Sequence, residues 1–118
     1  MGRLTTHVLD VTRGRPAAGV VVEVWRLDGE DPRELLKTVR TNADGRTDAP
    51  LLDGDELTAG VYELVFWIGD YFAAQGTLVT SPPFLDRVPI RFGIADTTAR
   101  YHVPLLASPW AYSTYRGS

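Results

Sequence analysis

Between Val88 and Ile94 the chain alternates strictly: Val88, Ile90, Phe92 and Ile94 are apolar, and Pro89, Arg91 and Gly93 lie between them. A period of two sends one set of side chains inward and the other outward, as in a half-buried β-strand. The same reading extends along the chain. Strands are expected at Leu4–Val11, Gly19–Leu27, Leu35–Thr41, Gly60–Trp67, Tyr101–Leu106 and Ala111–Tyr115, with a short one near Leu51 and Leu52. Val20, Val21, Val22, Val24 and Trp25 are the β-branched and aromatic types that suit a buried strand. Turn chemistry separates these runs at Arg13-Gly14-Arg15-Pro16, Asp28-Gly29-Glu30-Asp31-Pro32, Asn42-Ala43-Asp44-Gly45-Arg46 and Pro82-Pro83. One helix is expected in Ile68–Gly76, with Gly76 ending it. Pro89 and Pro104 lack a ladder donor, so each belongs at an edge, a bulge or a strand start. About eight strands and one helix make an all-β sandwich the expected architecture.

A chain of 118 residues is one domain, spanning 1–118. The absence of cysteine excludes disulfides, thiol catalysis and thiolate metal sites. A net charge of −3 gives no electrostatic reason to expect nucleic acid or an anionic membrane as partner. No apolar run approaches the ~20 residues of a membrane span. The opening MGRLTTHVLD lacks the pattern of a secretory leader, and a cytoplasmic location is expected.

No phosphate-cradling loop, nucleophile elbow, metalloprotease helix or Ca²⁺ loop is present. Attention falls on polar residues within strands, where an unpaired buried group costs about 1–3 kcal/mol. There are two histidines, His7 and His102. His7 shares a strand face with Thr5 and Leu9, and His102 shares one with Pro104 and Leu106. His102 reads equally as a surface or interface histidine and as an acid–base group, whereas His7 taken alone reads first as an ordinary hydrogen-bonded histidine of an amphipathic strand. Arg46 follows the Asp44-Gly45 turn; it reads as a solvated loop residue or as a ligand for planar anions. The bulky Trp110, Tyr112 and Tyr115 argue that the final segment is docked.

Three blocks carry a resemblance. They are Leu4-Thr5-Thr6-His7-Val8-Leu9-Asp10 with Gly14-Arg15-Pro16-Ala17, the turn Thr41–Arg46, and Tyr101-His102-Val103-Pro104-Leu105-Leu106 running through Ser108-Pro109 to Tyr112–Ser118. Together they resemble the 5-hydroxyisourate hydrolase family of transthyretin-like proteins. The ending Tyr115-Arg116-Gly117-Ser118 is similar to that of the hydrolases and unlike that of the hormone carriers. Where many members have a histidine two places before the motif histidine, this chain has Arg100, on the same strand face as His102.

The resemblance implies a transthyretin-like β-sandwich of two four-stranded sheets with one short helix. It implies a homotetramer, a dimer of dimers, with active sites at the dimer–dimer interface. The implied reaction is hydrolysis of a cyclic amide in 5-hydroxyisourate, without cofactor or metal, giving 2-oxo-4-hydroxy-4-carboxy-5-ureidoimidazoline. By the same resemblance His7, His102 and Ser118 are catalytic, and His7, Arg46, Tyr115, Arg116 and Ser118 bind substrate. Ser118 would act through its hydroxyl or a terminal carboxylate, and Tyr115 and Arg116 would hold the tail. The alternative is a transthyretin-like carrier of a small aromatic ligand, for which the facing surface should be apolar. A purely structural sandwich is the third reading.

Overall fold

The alternating pattern becomes strand wherever one face can be buried. The computed structural model describes residues 2–27, 33–77 and 79–118, so the break expected at Asp28–Pro32 lies outside the described residues. The elements are β1 (Arg3–Asp10), β2 (Arg15–Pro16), β3 (Val21–Arg26), β4 (Glu34–Arg40), β5 (Leu52–Asp53), β6 (Gly60–Phe66), α1 (Ile68–Ala74), β7 (Val88–Ile94), β8 (Arg100–Ala107) and β9 (Tyr112–Thr114). One sheet runs β4-β3-β6-β7; the other runs β2-β1-β8-β9, with β5 also paired to β1. The second sheet therefore has five strands rather than the four expected. The addition is Arg15–Pro16, which folds back to pair with Leu9 and Asp10 at the edge of β1, where a missing proline donor is harmless.

The two inner faces meet in one core. Leu4, Val8, Tyr101, Val103 and Leu105 come from the five-stranded sheet, and Val22, Val24, Tyr62, Leu64 and Phe66 from the other. Helix α1 covers one end through Ile68, Tyr71 and Phe72, and closes at Gly76 with Gly76 N–H on the Ala73 carbonyl and Thr77 N–H on that of Phe72. Buried Asp10 ties the end of β1 to this helix. It accepts from the Tyr71 hydroxyl at 2.8 Å and from Arg13 at 3.2 Å. Burial, reinforced by this carboxylate, pushes the Tyr71 pKa up to about 12. Among the described residues no helix is long and apolar enough to cross a membrane.

The two prolines expected at ladder gaps occupy them. Pro89 lies on β7, an edge strand. Pro104 lies inside β8, between β1 and β9, and its carbonyl faces β9, accepting from Thr114 Oγ1 at 2.7 Å. The β8–β9 ladder ends at Leu105↔Thr114, yet the same register reappears at His102↔Gly117. The missing bond falls where Pro104 has no N–H to give.

Leu105 is fully buried in this core. Leu105→Ala should lower unfolding stability by about 2–5 kcal/mol. The check is urea denaturation, with a lower midpoint and an unchanged slope.

Candidate active site

β1 and β8 pair in parallel over their whole length, from Arg3↔Arg100 to Asp10↔Ala107. Because side chains alternate, this register sets Arg3, Thr5, His7 and Leu9 beside Arg100, His102, Pro104 and Leu106 on the outer face of the sheet. Thr5 is the direct partner of His102, and His7 lies one row on, opposite Pro104. Thr6, between them, points inward and donates its hydroxyl to the Val103 carbonyl at 2.7 Å. Both histidines thus occupy one face of two adjacent strands, a placement set by the parallel register.

Arg46 reaches this face from the turn. Asn42 Oδ1 accepts from the backbone N–H of Asp44 and Arg46, and Gly45 N–H donates to the Asn42 carbonyl. Gly45 has φ 75°, and a side chain there would meet the Val8 carbonyl at 2.4 Å. Its own carbonyl accepts from Val8 N–H at 2.8 Å, docking the turn on β1 beside His7. The Asp44 carbonyl then lies 2.9 Å from His7 Nε2. A carbonyl only accepts, so His7 carries a proton on Nε2. The Arg46 side chain makes no hydrogen bond or ion pair with the described residues. With Arg3, Thr5 and Asp48 it lines a cavity of about 230 Å³ on the same face.

The third component is the tail. Gly117 N–H donates to the His102 carbonyl at 2.8 Å. A Cβ on Gly117 would lie 2.5 Å from His102 Cδ2, so only glycine fits against this imidazole. Ser118 follows directly. Arg116 turns to the opposite side of the strand, stacking its guanidinium 4.3 Å from the Tyr101 ring centre and donating to the Arg100 carbonyl. Tyr115 and Arg116 line a separate cavity of about 260 Å³ with Phe92 and Tyr101. Of the residues singled out from sequence, the structure brings together His7, Arg46 and His102, with Ser118 one residue beyond the Gly117 contact. Arg116 makes the contacts that hold that end, while Tyr115 is 59% exposed. Arg100 stands exposed on the His102 face, beside Arg3.

Two members of the cluster were not singled out from sequence, Thr5 and Gly117. Thr5 Oγ1 lies 2.8 Å from His102 Nδ1. Parity alone placed Thr5 near His7; only the parallel register places it at His102. Electrostatics follow from this crowding. Burial, then the Arg46 charge, then His7, hold the His102 pKa below the ordinary histidine value. His102 is therefore a neutral imidazole at neutral pH, able to take up a proton. Among the described residues no group of three or more His, Asp or Glu side chains converges to hold a metal.

An eight-residue parallel pair inside a two-sheet sandwich whose other described pairings are antiparallel, carrying His7, His102, Arg3 and Arg100 on its outer face with Arg46 reaching over from a turn, defines a transthyretin-like domain. The chain belongs to the HIUase/Transthyretin family, whose model matches residues 4–117. A 5-hydroxyisourate hydrolase of Mesorhizobium japonicum is 63% identical over 117 residues, covering 99% of this chain and 93% of that protein. Among solved structures, Klebsiella pneumoniae 5-hydroxyisourate hydrolase superposes with a TM-score of 0.82 at 37% identity, over 100% of both chains. An (S)-allantoin synthase structure superposes with a TM-score of 0.93 at 48% identity over 99% of this chain, which spans only 44% of that longer chain.

The electrostatic reading has a direct check in an NMR titration of the two imidazoles. His102 should titrate below the ordinary value of about 6.5. Arg46→Ala removes a cation and should move the His102 midpoint upward, toward that value. An unmoved midpoint would show that Arg46 does not act on His102.

Proposed function

We propose that this protein hydrolyses 5-hydroxyisourate to 2-oxo-4-hydroxy-4-carboxy-5-ureidoimidazoline, by attack of water on a cyclic amide. The observation that carries the reading is the convergence of His7, His102 and Arg46 on one open face, in a chain whose full-length relatives bear the hydrolase name. Neutral His102 takes a proton from water as its oxygen bonds to the amide carbon, and a proton passes to the ring nitrogen as the C–N bond breaks. The new acid leaves as a carboxylate. His7 donates through Nε2 to the Asp44 carbonyl, so its Nδ1 faces the reaction as a second acceptor site. The unpaired Arg46 guanidinium binds the planar substrate and stabilises charge gathering on the carbonyl oxygen. Ser118, next in the chain to Gly117, adds its hydroxyl or a terminal carboxylate to the water network, and Tyr115 and Arg116 hold that segment in place. No cofactor enters this scheme.

The same reading includes a homotetramer, assembled as a dimer of dimers with the sites between dimers. It is supported by the openness of the site. His7 and His102 stand half-buried and Arg46 exposed on an outer sheet face, and a second copy over that face would enclose them. A carrier of an aromatic ligand is disfavoured because Arg3, Thr5, His7, Arg46, Arg100 and His102 set polar groups along the face, among the apolar Leu9, Pro104 and Leu106.

The test follows freshly generated 5-hydroxyisourate by absorbance. Micromolar protein should accelerate its decay well beyond the uncatalysed rate; no acceleration would remove the hydrolase reading. His102→Asn should lower kcat/KM by about 10²–10⁴-fold, the usual contribution of a general base, with little change in melting temperature. Equal loss of stability and turnover would make His102 structural. Ser118→Ala should reduce turnover in a folded protein. Analytical ultracentrifugation should give four copies, and a monomer of full activity would exclude the shared site.

A further inference from the structure

Thr5 has no part in the scheme above, yet it makes the one direct side-chain hydrogen bond to His102 among the described residues, Oγ1 to Nδ1 at 2.8 Å. The bond joins residues 97 apart in the chain and is set by the ladder, since Thr5 and His102 are direct partners in the β1–β8 register. A threonine hydroxyl can donate or accept, so distance alone leaves two arrangements. The chemistry separates them. If Thr5 donated to Nδ1, that nitrogen would hold the lone pair and Nε2 the proton. His102 could then gain a proton only at Nδ1, which forces the hydroxyl to turn from donor to acceptor and aims the base at the strand it lies on. If Thr5 accepts from Nδ1–H, the lone pair sits on Nε2, and the same bond persists when Nε2 is protonated. That second arrangement serves a base through a whole proton cycle without reorganisation.

Gly117 supplies the other constraint. Its backbone packs on the His102 ring beside Cδ2, the carbon bonded to Nε2, at a spacing that admits no Cβ. The ring is held on its Nδ1 side by Thr5 and beside its Nε2 edge by the backbone that leads to Ser118. We propose that Thr5 is a positioning residue: its hydroxyl accepts from Nδ1–H and thereby fixes His102 as the tautomer whose Nε2 lone pair faces the reacting water. The role rests on the hydrolase reading for its purpose, but the tautomer is measurable without any substrate.

The chain has only two histidines, so ¹⁵N-edited NMR of the imidazoles above neutral pH resolves both. His7, bound to a carbonyl through Nε2, should show the Nε2–H form and serve as the internal reference. His102 should show Nδ1–H. An Nε2–H form at His102 would overturn the proposal, whatever the protein does to 5-hydroxyisourate. In turnover, Thr5→Val keeps the β-branched shape and removes the acceptor. It should lower kcat by about tenfold or more, the weight of one hydrogen bond expressed in the transition state, with KM nearly unchanged. In the same variant His102 should lose its single tautomer. Thr5→Ser restores the hydroxyl and should return both kcat and the Nδ1–H signal. A Thr5→Val protein with unaltered kcat and unaltered tautomer would sink the assignment. Absence of hydrolysis by the unmodified protein would instead remove the function reading and leave the tautomer result standing.

Discussion

The parallel pairing of β1 with β8 is the constraint on which the site depends. Every other strand pairing among the described residues is antiparallel, and this one joins the two ends of the chain across eight residue pairs. A slip of one residue would turn His7 or His102 into the core and bring Val8 or Val103 out, exposing apolar surface and burying an imidazole. Burial of Leu4, Val8, Val103 and Leu105 therefore enforces the register, and Thr6 reinforces it by donating across the seam to Val103. The energy that holds the fold also holds the two histidines on one face, in adjacent rows.

Beside that seam the chain uses two missing groups to bring its end to His102. Pro104 has no N–H, so the ladder is interrupted where Tyr115 would pair, and Thr114 takes over the Pro104 carbonyl with its hydroxyl. Gly117 has no Cβ, so the segment returns to the ladder against the imidazole itself. Between these points Arg116 stacks on Tyr101 and keeps the register. A proline and a glycine, both poor strand residues, are thus what this strand needs in order to deliver Ser118.

The two outer faces of the sandwich differ in how their charges are satisfied. On the four-stranded sheet, buried Glu63 pairs with Arg33 and Arg91, and Glu23 accepts from the indoles of Trp25 and Trp67. Those groups are spent on each other. On the five-stranded sheet the histidines are engaged by a hydroxyl and a carbonyl, neither of them charged, and the Arg46 side chain has no partner among the described residues. With burial, that nearby positive charge keeps His102 neutral. A face with a neutral His102 and, among the described residues, an unpaired Arg46 guanidinium is suited to acid–base work on an electron-rich substrate, whereas the opposite face is suited to stability.

Much of this was legible before any fold was built. Alternation located the strands, the Asn-Ala-Asp-Gly-Arg run located the turn that carries Arg46, and the prolines marked ladder gaps, because each of these depends on neighbours a few residues away. Parity also told that His7 and His102 share their strand faces with Thr5 and Pro104 respectively. What parity could not tell is which strands lie side by side, in which direction and in which register. Those are contacts between residues 97 apart, decided by how the whole core packs. Thus Thr5 beside Nδ1, Gly117 against Cδ2 and the extra strand at Arg15–Pro16 belong to the tertiary structure alone. The chain by itself determined which side chains share each strand face, because parity is local; the packing of β1 on β8 decided which faces meet, because register is set by the whole core.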